Sequence, residues 1–182
     1  MARLKYLDKS DLAEKDQDLL ARNINLFRAL VHSPNAARAF SGLGGFIRHQ
    51  SKADPRLREL AILQVGWLAK SPYEWSHHVK IGYDFGVTDN DIQALIDDTA
   101  GHATGLDETT KLVLQMAREM TLDGGASDAT FASLSARMPS ELLLDLTLTI
   151  AFYNAVVRVP ATLQIDVEPE YLPYLAKYPL PK

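Results

Sequence analysis

Apolar positions recur at helical spacing along almost the whole chain, and no segment shows the strict alternation that is typical of paired strands. "NINLFRALVHS" places Ile24, Phe27 and Val31 on one helical stripe. "ADPRLRELAILQVGWLAKS" is apolar nearly all round from Leu60 onward, which predicts a central, buried helix. The longest apolar segment is "ELLLDLTLTIAFYNAVVRV", and Pro160 is expected to end it or kink it.

Capping residues and prolines divide these helices. The pattern predicts an all-α fold of seven or eight helices in one domain spanning residues 1–182. Gly42, Gly44 and Gly45 are expected to weaken the helix that follows Pro34 or to let a neighbour pack closely on it, and the proline-rich C-terminal sequence predicts an extended arm. The predicted starts and stops are Asp54 with Pro55, Ser71 with Pro72, Gly86, Thr88, Asp107, Ser127, and Pro139 with Ser140.

Composition narrows the possible functions. The 182 residues are 47% hydrophobic and 23% charged, with a net charge of −4, and the basic residues form no block. A nucleic acid is therefore not expected as the main partner. The N-terminus lacks the apolar core of a signal peptide and no window suggests a membrane span, so we expect a cytoplasmic protein without a membrane partner. The absence of cysteine excludes disulfides, thiolate nucleophiles and dithiol redox chemistry.

The stretch "SPYEWSHHVKIG" concentrates acid–base groups on one predicted helix. Glu74 and His78 are one turn apart and share a face, and His77 lies beside them. The preceding helix adds Glu59. A carboxylate beside an imidazole can hold and move a proton near neutral pH, which predicts these four residues as a catalytic cluster.

Two other interpretations of this cluster stay open. Glu74 lies in the first turn after Pro72, where any carboxylate interacts favourably with the helix dipole, so a structural role is the first alternative. His and Glu are also zinc ligands, but "EWSHH" is not the H-E-x-x-H motif and no further His or Cys is placed to complete a tetrahedron. We therefore expect neither a metal nor a cofactor.

The late helix carries a second polar pair, in "YNAVVR". Asn154 and Arg158 are four residues apart and share a face. On an apolar helix they need partners if they are buried. These partners could be a substrate carboxylate, the carboxylates of Glu59 and Glu74, or each other in a purely structural pair.

Three segments resemble the carboxymuconolactone decarboxylase-like family, which shares its fold with the AhpD-type alkylhydroperoxidases. They are "NLFRAL", "RLRELAILQVGWLAKSPYEWSHHVKIGYDFGVTDNDI" and "YNAVVR", and the match covers roughly residues 22–165. The resemblance implies an all-helical subunit that assembles as a homotrimer or homohexamer. Glu59 and His78 match a Glu and a His that are common in the family.

One departure from the family pattern changes the expected chemistry. The peroxidase branch carries Cys-x-x-Cys where this chain has Glu74 and His77. Peroxidase activity of that type is excluded, and the resemblance points to the decarboxylase-type branch, in which Glu and His groups serve acid–base chemistry.

The resulting hypothesis is a cofactor-free decarboxylase or proton-transfer enzyme for a small carboxylated lactone or unsaturated acid. Arg48 or Arg158 would pair with the substrate carboxylate, and Glu74 or His78 would donate a proton to carbon. Trp75 could line the cavity, although a plain core role is the alternative. A non-catalytic protein that keeps the fold and binds a small ligand is the second hypothesis.

Overall fold

The computed structural model describes residues 2–181, and within that range the chain forms ten α-helices, three short 3₁₀ segments and no strand. The all-α prediction is confirmed. The predicted helix count is too low because the last apolar segment splits in two and the C-terminal arm adds a helix. The α-helices are α1 (Asn25–Leu30), α2 (Pro34–His49), α3 (Pro55–Leu68), α4 (Pro72–Asp84), α5 (Asp89–Thr99), α6 (Glu108–Leu122), α7 (Asp128–Ser135), α8 (Ser140–Val156), α9 (Arg158–Leu163) and α10 (Leu172–Lys177). The 3₁₀ segments are Lys9–Asp11, Glu14–Leu20 and Pro169–Tyr171.

Side-chain caps fix most of the predicted helix starts. The Asp54 side chain accepts a hydrogen bond from the Leu57 amide at the start of α3, and Ser71 accepts one from the Glu74 amide at the start of α4. A reciprocal capping box with Asp91 places Thr88 before α5. The Asp107 and Ser127 side chains each accept one hydrogen bond, from the Thr110 and Thr130 amides, at the starts of α6 and α7. These caps satisfy amides that have no partner inside the helix.

Two local expectations are wrong, and one is confirmed. Helix α2 runs without a break through its glycines, and a Cβ on Gly44 would lie 3.6 Å from the Phe152 ring, an ordinary van der Waals distance, so α2 and α8 pack together there. The apolar segment is interrupted at Val157, between α8 and α9, as expected for a helix that approaches Pro160, and Pro160 itself lies at the third position of α9, where its missing N–H has no intrahelical partner to lose. The C-terminal arm is helical over Leu172–Lys177, with a proline in the first turn.

Helix α3 lies at the centre of the fold and packs on α4, α6 and α8. Leu60 and Leu63 are fully buried, as predicted, and face the side of α3 that packs on α4 and α5. Leu146 and Ile150 of α8 are buried in the second core cluster, which also contains residues of α6. Because α3 contacts both clusters, its sequence is apolar nearly all round.

The segment Ser140–Leu163 is long and apolar enough, at 24 residues and a mean hydropathy of 1.6, to cross a membrane by length and composition alone. The expectation that no window suggests a span is therefore wrong on these two criteria. The criteria are weak evidence, since a core helix of a soluble protein meets them too. Leu143, Leu146 and Ile150 of this segment pack in the protein core.

A close approach of α3 and α4 brings their polar residues together. A Cβ on Gly66 would lie 3.4 Å from the Trp75 backbone nitrogen and 3.5 Å from its Cα. The two backbones therefore approach with no side chain between them. This contact holds the first turns of α4 against α3, the helix that carries Glu59.

Replacing Gly66 tests this contact. Gly66→Ala should be tolerated, because its methyl group would make ordinary van der Waals contacts and alanine favours a helix. Gly66→Leu must push the helices apart and should lower the free energy of unfolding by about 1–3 kcal/mol. Urea unfolding of both variants measures the difference, and equal stabilities would show that the helices are not in close contact.

Candidate active site

A cavity of about 520 Å³ lies between the N-terminal segment, α1, α2, α4 and α8. Its volume suits a small organic molecule. The polar residues that face it include Arg22, Arg48, Tyr73, Glu74, His77, His78 and Tyr153. Its apolar wall includes Phe27, Phe40, Ile81, Phe152 and Val156.

Glu59 and His78 form a buried hydrogen-bonded pair behind this cavity. His78 Nδ1 lies 2.7 Å from Glu59 Oε2, and Glu59 and His78 are only 1% and 3% exposed. Arg58 contacts the other oxygen of Glu59, with Nη2 at 3.1 Å from Oε1. Two cationic or donor groups therefore surround this carboxylate.

The pKa directions assign the proton within the pair. Burial works against the charge on Glu59, but His78 and Arg58 outweigh it and leave the Glu59 pKa below its usual value. Burial also lowers the His78 pKa, with Glu59 acting in the opposite direction. Glu59 is thus a carboxylate that accepts the Nδ1 hydrogen of a neutral His78. The Nε2 atom of His78 then carries a lone pair.

Glu74 lies on the cavity side of His78, and its environment differs from that of Glu59. Its Oε2 lies 3.6 Å from His78 Nε2, just beyond hydrogen-bond range, and its buried Oε1 has no hydrogen-bond partner among the described residues. Burial raises the pKa of Glu74 to about 7; Arg22 and Arg48 act against the rise, and Glu168 adds to it. Glu74 can therefore hold a proton near neutral pH and present it to the cavity.

His77 is placed differently from His78, although both face the cavity. Its Nδ1 lies 2.7 Å from the Tyr73 backbone oxygen, and its Nε2 lies 3.0 Å from Glu168 Oε2, an ion-pair contact whose alignment falls short of a hydrogen bond. The ring is stacked between Tyr73 and Tyr171, at 4.1 and 3.6 Å. Each nitrogen therefore lies close to an oxygen other than those of Glu74, and the contacts with Glu168 and Tyr171 link the C-terminal segment to α4.

Arg48 is the one predicted substrate-binding residue that faces the cavity. Trp75 does not face it. The Trp75 indole is fully buried, packs on Trp67 at 5.0 Å and donates a hydrogen bond of 2.8 Å from Nε1 to the Tyr178 backbone oxygen. Trp75 thus has the core role that was the alternative, and it holds the end of the C-terminal segment.

Asn154 and Arg158 also lie outside the cavity lining. The Asn154 side chain donates a hydrogen bond of 3.0 Å to Thr121 Oγ1, which joins α8 to α6. Arg158 is exposed, and its Nη1 contacts the Asn154 backbone oxygen. Their partners are each other and Thr121, which is the structural interpretation of the pair.

The sequence alone does not predict several of the residues that lie near the cavity. Arg22 comes from the N-terminal segment, and Tyr153 meets the His78 ring edge-on at a centroid distance of 4.9 Å. Glu168 reaches back from the C-terminal segment and accepts hydrogen bonds from the Asn25 amide and the Tyr73 hydroxyl. All three are distant in sequence from Glu74, and their residue types carry no spacing signal.

Within residues 2–181, no group of three or more His, Asp or Glu is placed to hold a metal ion.

The comparisons with known proteins agree with this geometry. The model of the carboxymuconolactone decarboxylase family matches residues 34–119, a range that contains Glu59, Glu74 and His78. This match spans just under half of the chain, and the chain as a whole has the AhpD-like fold. No curated protein gives a significant match.

The solved structures that share this AhpD-like fold are distant in sequence. The AhpD-core, peroxidase-related protein of Ralstonia eutropha JMP134 is 16% identical, with a TM-score of 0.76 over 96% of this chain and 95% of that chain. A cysteine-to-alanine variant of the debrominase Bmp8, in complex with 2,3,4-tribromopyrrole, is 18% identical, with a TM-score of 0.78 over 97% of this chain and 99% of that chain. A putative antioxidant defence protein of Agrobacterium tumefaciens is 19% identical, with a TM-score of 0.67 over 76% of this chain and 94% of that chain. Such identities establish the fold alone.

The raised pKa of Glu74 has a consequence for stability. The folded protein favours the neutral carboxyl, so this contribution is complete below the unfolded pKa of 4.5 and is lost as the pH rises through about 7. A shift of this size corresponds to about 3 kcal/mol. Glutamine stays neutral at every pH. The free energy of unfolding of Glu74→Gln, relative to that of wild type, should therefore rise by about the same amount as the pH is raised from 4.5 to 8. Urea unfolding across this range measures the difference, and a constant difference would contradict the raised pKa.

The position of Trp75 generates a second prediction. Trp75→Phe removes the hydrogen bond to the Tyr178 carbonyl and should lower the free energy of unfolding by about 1–3 kcal/mol. It should also speed hydrogen exchange in α10. Trp67→Phe is the matched control, because it removes a neighbouring, partly buried indole and leaves the bond to Tyr178 in place. Equal effects of the two changes on α10 would argue against an anchoring role for Trp75.

Proposed function

We propose that this protein is a cofactor-free decarboxylase or related proton-transfer enzyme that acts on a small carboxylated lactone or unsaturated acid. The observation that carries the proposal is Glu74: a buried carboxyl with a free oxygen, a pKa near 7 and a neutral imidazole behind it, facing a cavity of small-molecule size. A group that is half protonated near neutral pH is matched to proton transfer.

The cavity also supports binding of an acid. Arg48 faces the same space as Glu74, and a guanidinium binds a carboxylate with two parallel hydrogen bonds. The remaining wall is largely aromatic and aliphatic, which suits the unsaturated part of the ligand. A small conjugated carboxylate matches both parts of the cavity.

The proposed reaction is redox-neutral. The bond between the carboxylate carbon and the ring or chain breaks, CO₂ leaves, and the electron pair is delocalised into the conjugated carbonyl system of the substrate. Glu74 then delivers its proton to the carbon that becomes nucleophilic. Glu59 holds the His78 tautomer whose Nε2, 3.6 Å from Glu74 Oε2, carries no hydrogen. Glu74 regains a proton from solvent before the next turnover.

A non-catalytic binding protein is the alternative that the same fold allows. A binder has no need of a carboxyl whose proton is held near neutral pH, and it would tolerate these side chains in bulk solvent. Glu74 and His78 are instead 4% and 3% exposed. Burial of this pair favours the enzyme.

We also propose that the protein is a homotrimer or homohexamer. Helix α8 exposes two leucines on its outer side, Leu144 at 57% and Leu148 at 38%. They are one turn apart and form an apolar stripe that a second subunit could cover. Light scattering at micromolar concentration should therefore give a mass of at least three subunits, and a stable monomer would contradict the proposal.

The catalytic proposal is tested by turnover of γ-carboxymuconolactone, followed as CO₂ release. Glu74→Gln should lower kcat/KM by about 10²–10⁴-fold, the usual range for loss of a general acid or base. His78→Asn should act in the same direction, and His77→Asn should cost less because both nitrogens of His77 lie close to oxygens other than those of Glu74. Wild-type kcat/KM should fall as the pH rises above about 7, because Glu74 of the free protein then loses the proton that it donates.

Asp84→Asn is the matched control, since Asp84 is an exposed carboxylate on the same helix, paired with Lys80. It should leave turnover unchanged. A Glu74→Gln variant with wild-type turnover would mean that the cluster is structural and that Glu74 is not the acid. Absence of CO₂ release from the wild type would exclude this lactone as the substrate.

A further inference from the structure

Arg22 faces the cavity from a part of the chain that precedes the family match at residues 34–119. Its backbone is held in place by buried neighbours on both sides, Leu20 at 1% and Leu26 at 5% exposure. Its guanidinium carbon lies 5.6 Å from the centroid of the Phe27 ring, within the range of a cation–π contact. The residue as a whole is exposed, yet burial and the charge of Arg48 lower its pKa, so the guanidinium is partly withdrawn from water.

Two of the three arginines that line the cavity lack carboxylate partners among the described residues. Among the described residues, neither Arg22 nor Arg48 has a carboxylate within ion-pair distance, whereas Arg38, which also faces the cavity, binds Asp16 and Asp18. The Arg48 charge instead acts on the pKa of the buried Tyr153 hydroxyl, which it lowers against the effect of burial. Two guanidinium groups that lack carboxylate partners therefore face a space in which the Glu74 carboxyl is about half neutral at pH 7 and becomes more so as the pH falls.

We propose, resting on the function proposed above, that Arg22 and Arg48 together bind the carboxylate of the ligand, and that an anion bound there makes Glu74 take up a proton. Arg22 is then a ligand-binding residue of the site. Binding of the ligand thus converts Glu74 to the neutral form that can donate a proton.

The physical basis is electrostatic linkage. Arg22 and Arg48 are the two charges that hold the Glu74 pKa down against the effect of burial. A carboxylate between them cancels that influence, so the pKa of Glu74 rises further and the carboxyl binds a proton. Because linkage is reciprocal, the ligand also binds more tightly when Glu74 is protonated. The charged and titratable groups around Glu74 and its cavity are Asp18 and Arg22 in the N-terminal segment, Arg38, Arg48 and His49 in α2, Glu59 in α3, Tyr73, His77 and His78 in α4, Tyr153 in α8 and Glu168 in the C-terminal segment.

The experiment is isothermal titration calorimetry at pH 7.5 in two buffers of different ionisation enthalpy, with sorbate, benzoate and cis,cis-muconate as probes. At least one of these carboxylates should bind, and the uncharged amide sorbamide should not compete. The dependence of the measured enthalpy on the buffer should correspond to uptake of about half a proton per ligand bound. Failure of all three carboxylates to bind better than sorbamide would overturn the inference.

Variants separate the two parts of the proposal. Arg22→Gln should weaken binding about 10- to 100-fold, as expected for loss of a hydrogen bond to a charged group, and should reduce the proton uptake. Arg22→Lys, which keeps the charge, should restore part of both. Arg137→Gln, at an exposed arginine that contacts the Ser133 carbonyl, is the matched control and should change neither.

Glu74→Gln gives the decisive readout, because it should bind the probe and take up no proton. Proton uptake that persists in this variant would contradict the assignment to Glu74. Wild-type affinity in Arg22→Gln would remove Arg22 from the site. These readouts need no turnover, so a protein that binds carboxylates with proton uptake but releases no CO₂ would disprove the decarboxylase and leave the binding inference standing.

Discussion

The buried hydrogen bond between Glu59 and His78 sets the protonation states on which the site depends. A charged carboxylate in the protein interior is costly unless it is paired, and His78 and Arg58 supply that pairing. Since the Nδ1 hydrogen of His78 is committed to Glu59, its Nε2 lone pair faces Glu74. Glu59 thus stays charged, and the carboxyl on the opposite side of the imidazole can stay neutral.

The same imidazole therefore separates two carboxyl groups with opposite behaviour. Glu59 has an arginine in direct contact, whereas Glu74 has arginines only across the cavity, where a ligand can intervene. Environments that push two acid pKa values apart are a recurrent way to obtain acid–base chemistry near neutral pH. The absence of cysteine from the chain and the presence of this pair are consistent with chemistry that needs protons and no thiol.

Local rules predicted much of this arrangement. One helical turn places Glu74 beside His78, Ser71 and Pro72 fix where their helix begins, and a short loop forces α4 to pack on α3, which brings Glu59 close. Helix spacing could not distinguish His77 from His78, because the difference arises from Glu168 and Tyr171 in the C-terminal segment.

The incorrect predictions for Trp75 and Asn154 and the omission of Arg22 have a common physical origin in long-range packing. The aromatic ring of Trp75 was compatible with a cavity wall or with the core, and only the position of Tyr178 decides for the core. Asn154 finds its partner on α6, which the sequence does not place next to it. Arg22 was missed because the N-terminal segment folds back over the cavity, and no periodicity in the sequence marks that contact.

The most direct measurement is the titration of the Glu74 carboxyl itself. Carbon-13 NMR of protein labelled at the glutamate Cδ, with the Glu74 signal assigned by its absence from Glu74→Gln, gives the midpoint in the free protein. The account predicts a midpoint near pH 7, well above the ordinary glutamate value of 4.5. A midpoint at or below 4.5 would show that Glu74 is ionised at neutral pH and would contradict its role as the proton donor.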